Sequence, residues 1–157
     1  TTSLGYSVRY PKDFTLNTAY VNTTLGPGKN IKGIQMVIPV MMATGTNLST
    51  DSGISVEQLP GVTECSATLF LDSVVSSSTM SDNGVDYSVA KGGGAGAGNL
   101  YNETVYALPN SSPCTAVRYF VHTTQLGNYP KGTVKAYDQT SLNGAFDGIR
   151  ESLLIAR

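Results

Sequence analysis

Thr115-Ala-Val-Arg-Tyr-Phe-Val-His-Thr-Thr124 alternates strictly, and its reading decides the fold. In an extended chain Val117, Tyr119 and Val121 share one face, while Arg118, Phe120 and His122 share the other. Branched and aromatic side chains of this kind fit a pleated, half-buried surface. Two stretches upstream, Leu100 to Leu108 and Val85 to Ala90, repeat the alternation and are likewise rich in Val, Tyr and Thr. Together they predict the body of an antiparallel sheet. Ile31 to Pro39, with Ile34, Met36 and Ile38 on one face, and Ile54 to Leu59 add two strands, and Tyr6 to Tyr10 adds a short one stopped by Pro11.

From Asp138 onward the period changes from two to 3.6. Leu142, Phe146, Ile149 and Leu153 form one apolar stripe, so a helix is expected there, capped by Asp138 or Ser141. Gly144 and Gly148 weaken it by about 1 kcal/mol each relative to alanine, which makes it dependent on packing against the sheet. The fold class that follows is α+β: an antiparallel sheet packed by a C-terminal helix, in a single domain spanning residues 1–157.

The connections are read from their punctuation. Residues 22–30 and 125–137 are loops by their Gly and Pro content. Ser76 to Gly84 reads as a loop whose Asn83-Gly84 pair makes a tight hairpin turn. Residues 64–72 read as a short helix with Cys65, Leu69 and Asp72 on one side, the other possibility being a buried strand.

Composition removes several function classes. The 157 residues carry 10 Lys and Arg against 11 Asp and Glu, and neither sign forms a block. Nucleic-acid binding needs a basic face to neutralise phosphates, and this composition offers little to build one. No apolar run approaches the length of a membrane span. Cys65 and Cys114 are the only cysteines, in a background rich in Ser, Thr, Asn and Gly. They are expected to pair, and such a bond persists in oxidising compartments. The alternative is two buried free thiols. Closing a loop of about 50 residues removes roughly 4 kcal/mol of denatured-state freedom in the chain-entropy model. The chain opens Thr1-Thr2-Ser3 without an initiator methionine, which is read as a mature form whose targeting segment has been removed. The expected localisation is extracytoplasmic. Four Asn-X-Ser/Thr sequons start at Asn22, Asn47, Asn102 and Asn110, and in a chain of this composition chance matches are expected.

Little else looks chemical. Lys91-Gly-Gly-Gly-Ala-Gly-Ala-Gly-Asn99 matches a dinucleotide fingerprint by spacing, but strand-like Leu100 to Tyr106 follows where phosphate binding requires a helix. It therefore reads as a flexible hairpin connection, one that lets another backbone approach closely. Gly94, Gly96 and Gly98, with Tyr101 and Tyr129 nearby, are the expected contact residues for a protein partner. His122 is the only histidine; a hydrolytic device would need a serine and an acid beside it. One histidine and a bridged cysteine pair leave transition metals poorly served, and no cofactor is expected. Asp82-Asn-Gly-Val-Asp86 lacks the remaining ligands of a calcium loop and reads as a solvated hairpin tip.

Tyr6-Ser-Val-Arg-Tyr-Pro-Lys-Asp-Phe14 resembles the opening strand and turn of PsbP-like and Mog1-like domains, and Phe146-Asp-Gly-Ile-Arg-Glu-Ser-Leu153 is similar to their closing helix. The resemblance covers roughly 20 residues at the two ends. It implies an exported or lumenal accessory domain that binds a partner protein, and it carries over no functional residue. The expected function is a non-catalytic binding or accessory domain of the cell envelope or extracellular space. The alternatives are a small hydrolase using His122 and a subunit of an extracellular assembly such as a pilus.

Overall fold

The computed structural model describes residues 5–156. Seven strands form one antiparallel path: Thr15–Asn17 (β2), Ile31–Val37 (β4), Gly53–Leu59 (β5), Cys114–Thr124 (β9), Asn99–Leu108 (β8), Val85–Gly96 (β7) and Ser76–Asp82 (β6), in that spatial order. Val21–Asn22 (β3) pairs with β4 off this path, and Tyr6–Ser7 (β1) pairs separately with Leu154–Ile155 (β10). One helical turn spans Val40–Ala43 (α1), and the main helix, Gln139–Glu151 (α2), lies near the C-terminus. The fold class is the expected one, an antiparallel sheet packed by a C-terminal helix with one disulfide.

Strand β9 runs near the middle of the sheet with its expected polarity. Val117, Tyr119 and Val121 join Ile34, Met36, Ile38, Ile54 and Val56 in a core sealed by Leu142, Phe146 and Ile149 of α2. The Asp138 carboxylate caps the helix by accepting from the Ser141 N–H at 2.9 Å. The first and last segments of the described chain meet. Tyr6 sits opposite Ile155, Arg9 N–H donates to Ser152 Oγ, and Phe14 packs edge-on against Phe146.

A second core lies on the opposite face, where Ile31, Val105, Ala107, Ala90 and Ala116 are covered by Ala67, Phe70 and Leu71. The Cys65–Cys114 disulfide fastens that covering segment to the start of β9 across a separation of 49 residues.

Three connections differ from the reading of the sequence. Residues 64–72 contain only a single 3₁₀ turn, Ala67–Phe70, and Leu69 is exposed while Ala67, Phe70 and Leu71 are buried. The segment lies flat on the sheet and follows its contours, so no helical face is presented. Ser76–Asp82 is a strand, joined to β7 through the expected Asn83-Gly84 turn. It is a solvated edge strand, and with neither face buried it needs no apolar alternation. The glycine tract is also largely strand: β7 continues through Gly96, and only Ala97 and Gly98 make the turn into β8. Glycine at 93 is required there, since φ is +146° and a Cβ would stand 2.0 Å from the Tyr101 carbonyl oxygen.

Candidate functional site

Where β7, β8 and β9 pass beneath the flank of α2 they leave a groove of about 510 Å³. Register places the side chains. Lys91 pairs with Thr104 and Thr104 with Tyr119, so these three face the helix. The helix contributes Asn143 and Asp147, four residues apart beside its apolar stripe, and Tyr137 closes one end of the groove.

The floor is a polar network. Tyr119 donates its hydroxyl hydrogen to Asp147 Oδ1 at 2.7 Å, and Arg150 Nε donates to the Tyr119 oxygen at 2.9 Å. Arg150, almost fully buried, also reaches Asp82 at 2.6 Å and lies over the rings of Tyr87 and Tyr106, with centroids at 4.9 and 5.0 Å. Burial pushes the Tyr119 hydroxyl well above its ordinary range, reinforced by its bond to Asp147. Burial does the same at Tyr106, followed by the negative charge of Asp147. Both phenols therefore stay protonated donors at neutral pH. Lys91, at the mouth, is exposed and makes no ion pair among the described residues. The groove thus presents hydroxyls, the carboxamides of Asn102, Gln139 and Asn143, the Asp147 carboxylate and the Lys91 cation over aromatic rings.

The groove opens toward the glycine tract. Strand β6 reaches only to Ser76 opposite Lys91, and Val75 N–H closes its end by donating to the Lys91 carbonyl at 2.8 Å. Beyond that point β7 is the edge of the sheet. A Cβ placed at Gly94 or Gly96 would meet nothing within 4 Å.

The residues expected to form a contact surface divide between these features. Gly94 and Gly96 lie on the open edge. Gly98 lies in the turn, against Asn128, and its carbonyl accepts from Gln125 N–H at 2.9 Å. Tyr101 is on the face away from α2, stacked on Phe120 with centroids 6.2 Å apart and on His122 at 4.5 Å. Tyr129 reaches the same end of the sheet, its hydroxyl 2.8 Å from Thr124 Oγ1. Of the tyrosines that line the groove, Tyr106 and Tyr119 are marked in the sequence, with Tyr101 and Tyr129, as sheet tyrosines of the kind that serves recognition, whereas Tyr137 carries no such signal. Asn143 and Asp147 had one available signal, their spacing of four beside the apolar stripe of α2.

His122 has an acid beside it. Its Nδ1 is 2.8 Å from Asp51 Oδ1, and its Nε2 is 2.8 Å from the Asn99 side-chain oxygen. Asn99 is oriented by its own Nδ2, which donates to the carbonyls of Gly96 and Ala97. In a Ser-His-Asp device Nε2 receives the nucleophile's proton. Here that nitrogen is turned to a carboxamide oxygen, and the neighbouring Ser52 hydroxyl bonds the His122 main chain. The ring ties the hairpin tip to the segment before β5.

On the same face lies a charged cluster whose Arg118 and Glu57 are almost wholly buried and whose Glu103 borders a cleft of about 220 Å³. Glu57 accepts from Arg118 Nε at 2.7 Å and Nη2 at 3.1 Å, from Ser55 at 2.8 Å, and from Tyr20 and Asn22 at longer range. Arg118 also bonds Glu103 and the Phe70 carbonyl. Burial alone would lower the Arg118 pKa, but Glu57 and then Glu103 hold it above its ordinary value. With every partner satisfied internally, this cluster is architecture. Asn22, one of the sequon asparagines, is buried within it, whereas Asn102 and Asn110 are exposed.

No helix among the described residues is long and apolar enough to cross a membrane, and no group of three or more His, Cys, Asp or Glu side chains is placed to hold a metal. Compared with known proteins, the chain matches no protein-family model and no curated relative.

Proposed function

We propose that this chain is a non-catalytic binding domain that works outside the cytoplasm and holds a protein partner at the groove between α2 and the β7–β8 hairpin. The observation that carries the reading is the continuity of that groove with a sheet edge whose only side chain from Gly92 to Gly96 is the Ala95 methyl. A concave polar surface with aromatic walls beside an accessible backbone is a recognition surface, since it offers shape, hydrogen bonding and ring contacts together. The disulfide supports the compartment, because such bonds persist where thiols oxidise. The PsbP-like and Mog1-like resemblance of the two ends implies an accessory role of the same kind.

The test is affinity capture from an envelope extract of the native organism, with the disulfide-intact domain as bait and Asn143→Arg as control. Asn143 is exposed on α2, so arginine fills the groove without entering the core. A protein retained by the intact bait and lost with the variant is the expected result. Equal retention by both baits moves the site elsewhere, and an empty capture from both removes the binding reading.

A further inference from the structure

We infer that the partner of this domain binds by strand addition: an extended polypeptide segment pairs with the open edge of β7 at Gly92–Gly96, carrying an acidic side chain to Lys91. The inference rests on the groove being a protein-binding site and specifies how that site is read.

The first support is the direction of the backbone groups. In an antiparallel ladder, successive residues point their N–H and C=O alternately toward one neighbour and the other. The Lys91 carbonyl points away from β8, since it accepts from Val75 N–H at 2.8 Å. Two and four residues on, Gly93 and Ala95 therefore present their N–H and C=O to the same open side, and neither finds a partner among the described residues. The slot spans five residues, roughly 17 Å of strand, with Ser73 and Leu71 lying against the first of them, Gly92.

The second support is the composition of that edge. Exposed edges are commonly guarded by charged side chains, prolines or bulges. Gly92-Gly-Gly-Ala-Gly96 has none of these, and glycine in a strand interior weakens it unless another backbone must come close. Pairing with an added strand gives the exposed groups the partners they lack.

The shape of the slot selects its occupant. It is closed at one end by Val75 and open at the hairpin tip. A second copy pairing edge to edge about Gly94 would drive its own Ala97-Gly98 tip into Val75. A free extended chain stops there instead. Lys91 lies at the closed end on the groove side, exposed and without an ion-pair partner, and so favours an acidic residue near the end of the incoming strand. Val74 and Val75, both exposed, offer that end an apolar contact.

The experiment selects a phage-displayed library of random linear dodecapeptides against the disulfide-intact protein. The selected peptides are synthesised and their affinities measured by fluorescence anisotropy for the wild type, Lys91→Glu and Ala95→Pro. Proline at 95 removes one outward N–H and leaves the β8 ladder untouched. Amide exchange followed by NMR on the wild type supplies a readout independent of any variant's folding. Expected are peptides bearing an acidic residue, at least tenfold weaker binding to Ala95→Pro and to Lys91→Glu, and at least tenfold slower exchange at the Gly93 and Ala95 amides in the complex. Peptides that bind with those amides unprotected, and equally well to Ala95→Pro, overturn strand addition while leaving a binding domain in place. A library that yields no binder overturns it as well, and protection of the two amides by concentration-dependent dimerisation alone overturns it in favour of a second copy. Capture of a native partner is measured separately, so its failure is distinguishable from these results.

Discussion

Arg118 meets Glu57 edge to edge, with Nε 2.7 Å from Oε1 and Nη2 3.1 Å from Oε2, and both side chains are almost wholly removed from water. A carboxylate buried this way is tolerated only while its partner remains. Arg118→Met is expected to lower unfolding stability by about 3–5 kcal/mol, because Glu57 is left charged and unpaired. Arg118→Met with Glu57→Gln should recover a substantial part of that loss. Urea titrations of the two proteins check this, and equal stability of the single and double variants would count against the pairing.

Four phenols, Tyr119 buried and Tyr20, Tyr106 and Tyr137 half-buried, set an alkaline limit. Burial raises the pKa of Tyr20, Tyr106, Tyr119 and Tyr137 above the ordinary value of 10.0, with Glu57 adding at Tyr20 and Asp147 at Tyr106 and Tyr119. The folded state therefore retains protons that the unfolded chain releases. Their contribution to stability is complete below pH 10 and declines as pH rises through and beyond that value. Phenolate absorbance followed alongside the unfolding midpoint from pH 9 upward should show these groups ionising together with unfolding.

The turn at Ala97-Gly98 has φ values of +50° and +81°, a geometry that favours asparagine followed by glycine. Ala97→Asn should raise stability by about 0.5–1 kcal/mol, since asparagine tolerates the left-handed region better than alanine. An unchanged or lowered melting temperature would show that this turn is relaxed as it stands.

Gly144 and Gly148 are exposed on α2, and a Cβ at either meets nothing within 4 Å. Alanine at each should stabilise the protein by up to about 1 kcal/mol, and the two effects should add. Thermal melts of both single variants and the double variant measure this.

Replacing Cys65 and Cys114 by serine should cost about 2–4 kcal/mol, with the loss seen equally on adding reductant to the wild type. His122→Ala should leave partner capture unchanged while loosening the hairpin tip, seen as faster amide exchange at Ala97 and Gly98. Abolished turnover on a hydrolase substrate would instead make His122 catalytic.

Thr115–Thr124 and the C-terminal helix were legible because each buries a face at its own period, and burial is what writes a period into sequence. Ser76–Asp82 left no such trace, since an edge strand in water has no buried face to mark. The glycine tract hid its strand for a different reason: its extended form is set by pairing with β8 and not by local preference. The charged cluster was invisible because Glu57 and Arg118 stand 61 residues apart and meet only through strand register. The groove was half legible. The tract and its neighbouring tyrosines point to the β7–β8 hairpin that borders it, but the α2 residues that complete the wall are ordinary polar positions until the helix is docked.

The clasp between Cys65 and Cys114 reaches further than the loop it closes. The segment it fastens carries the Phe70 carbonyl that receives Arg118, so the bond and the charged cluster hold the same piece of chain from two sides. Each raises the local concentration at which the other forms. Thermodynamic reciprocity then requires that whatever the bond contributes to folding, folding returns to the bond. A chain not yet oxidised is in this sense already half instructed: docking of Phe70 beneath Arg118 brings the two thiols together, and oxidation makes that docking durable.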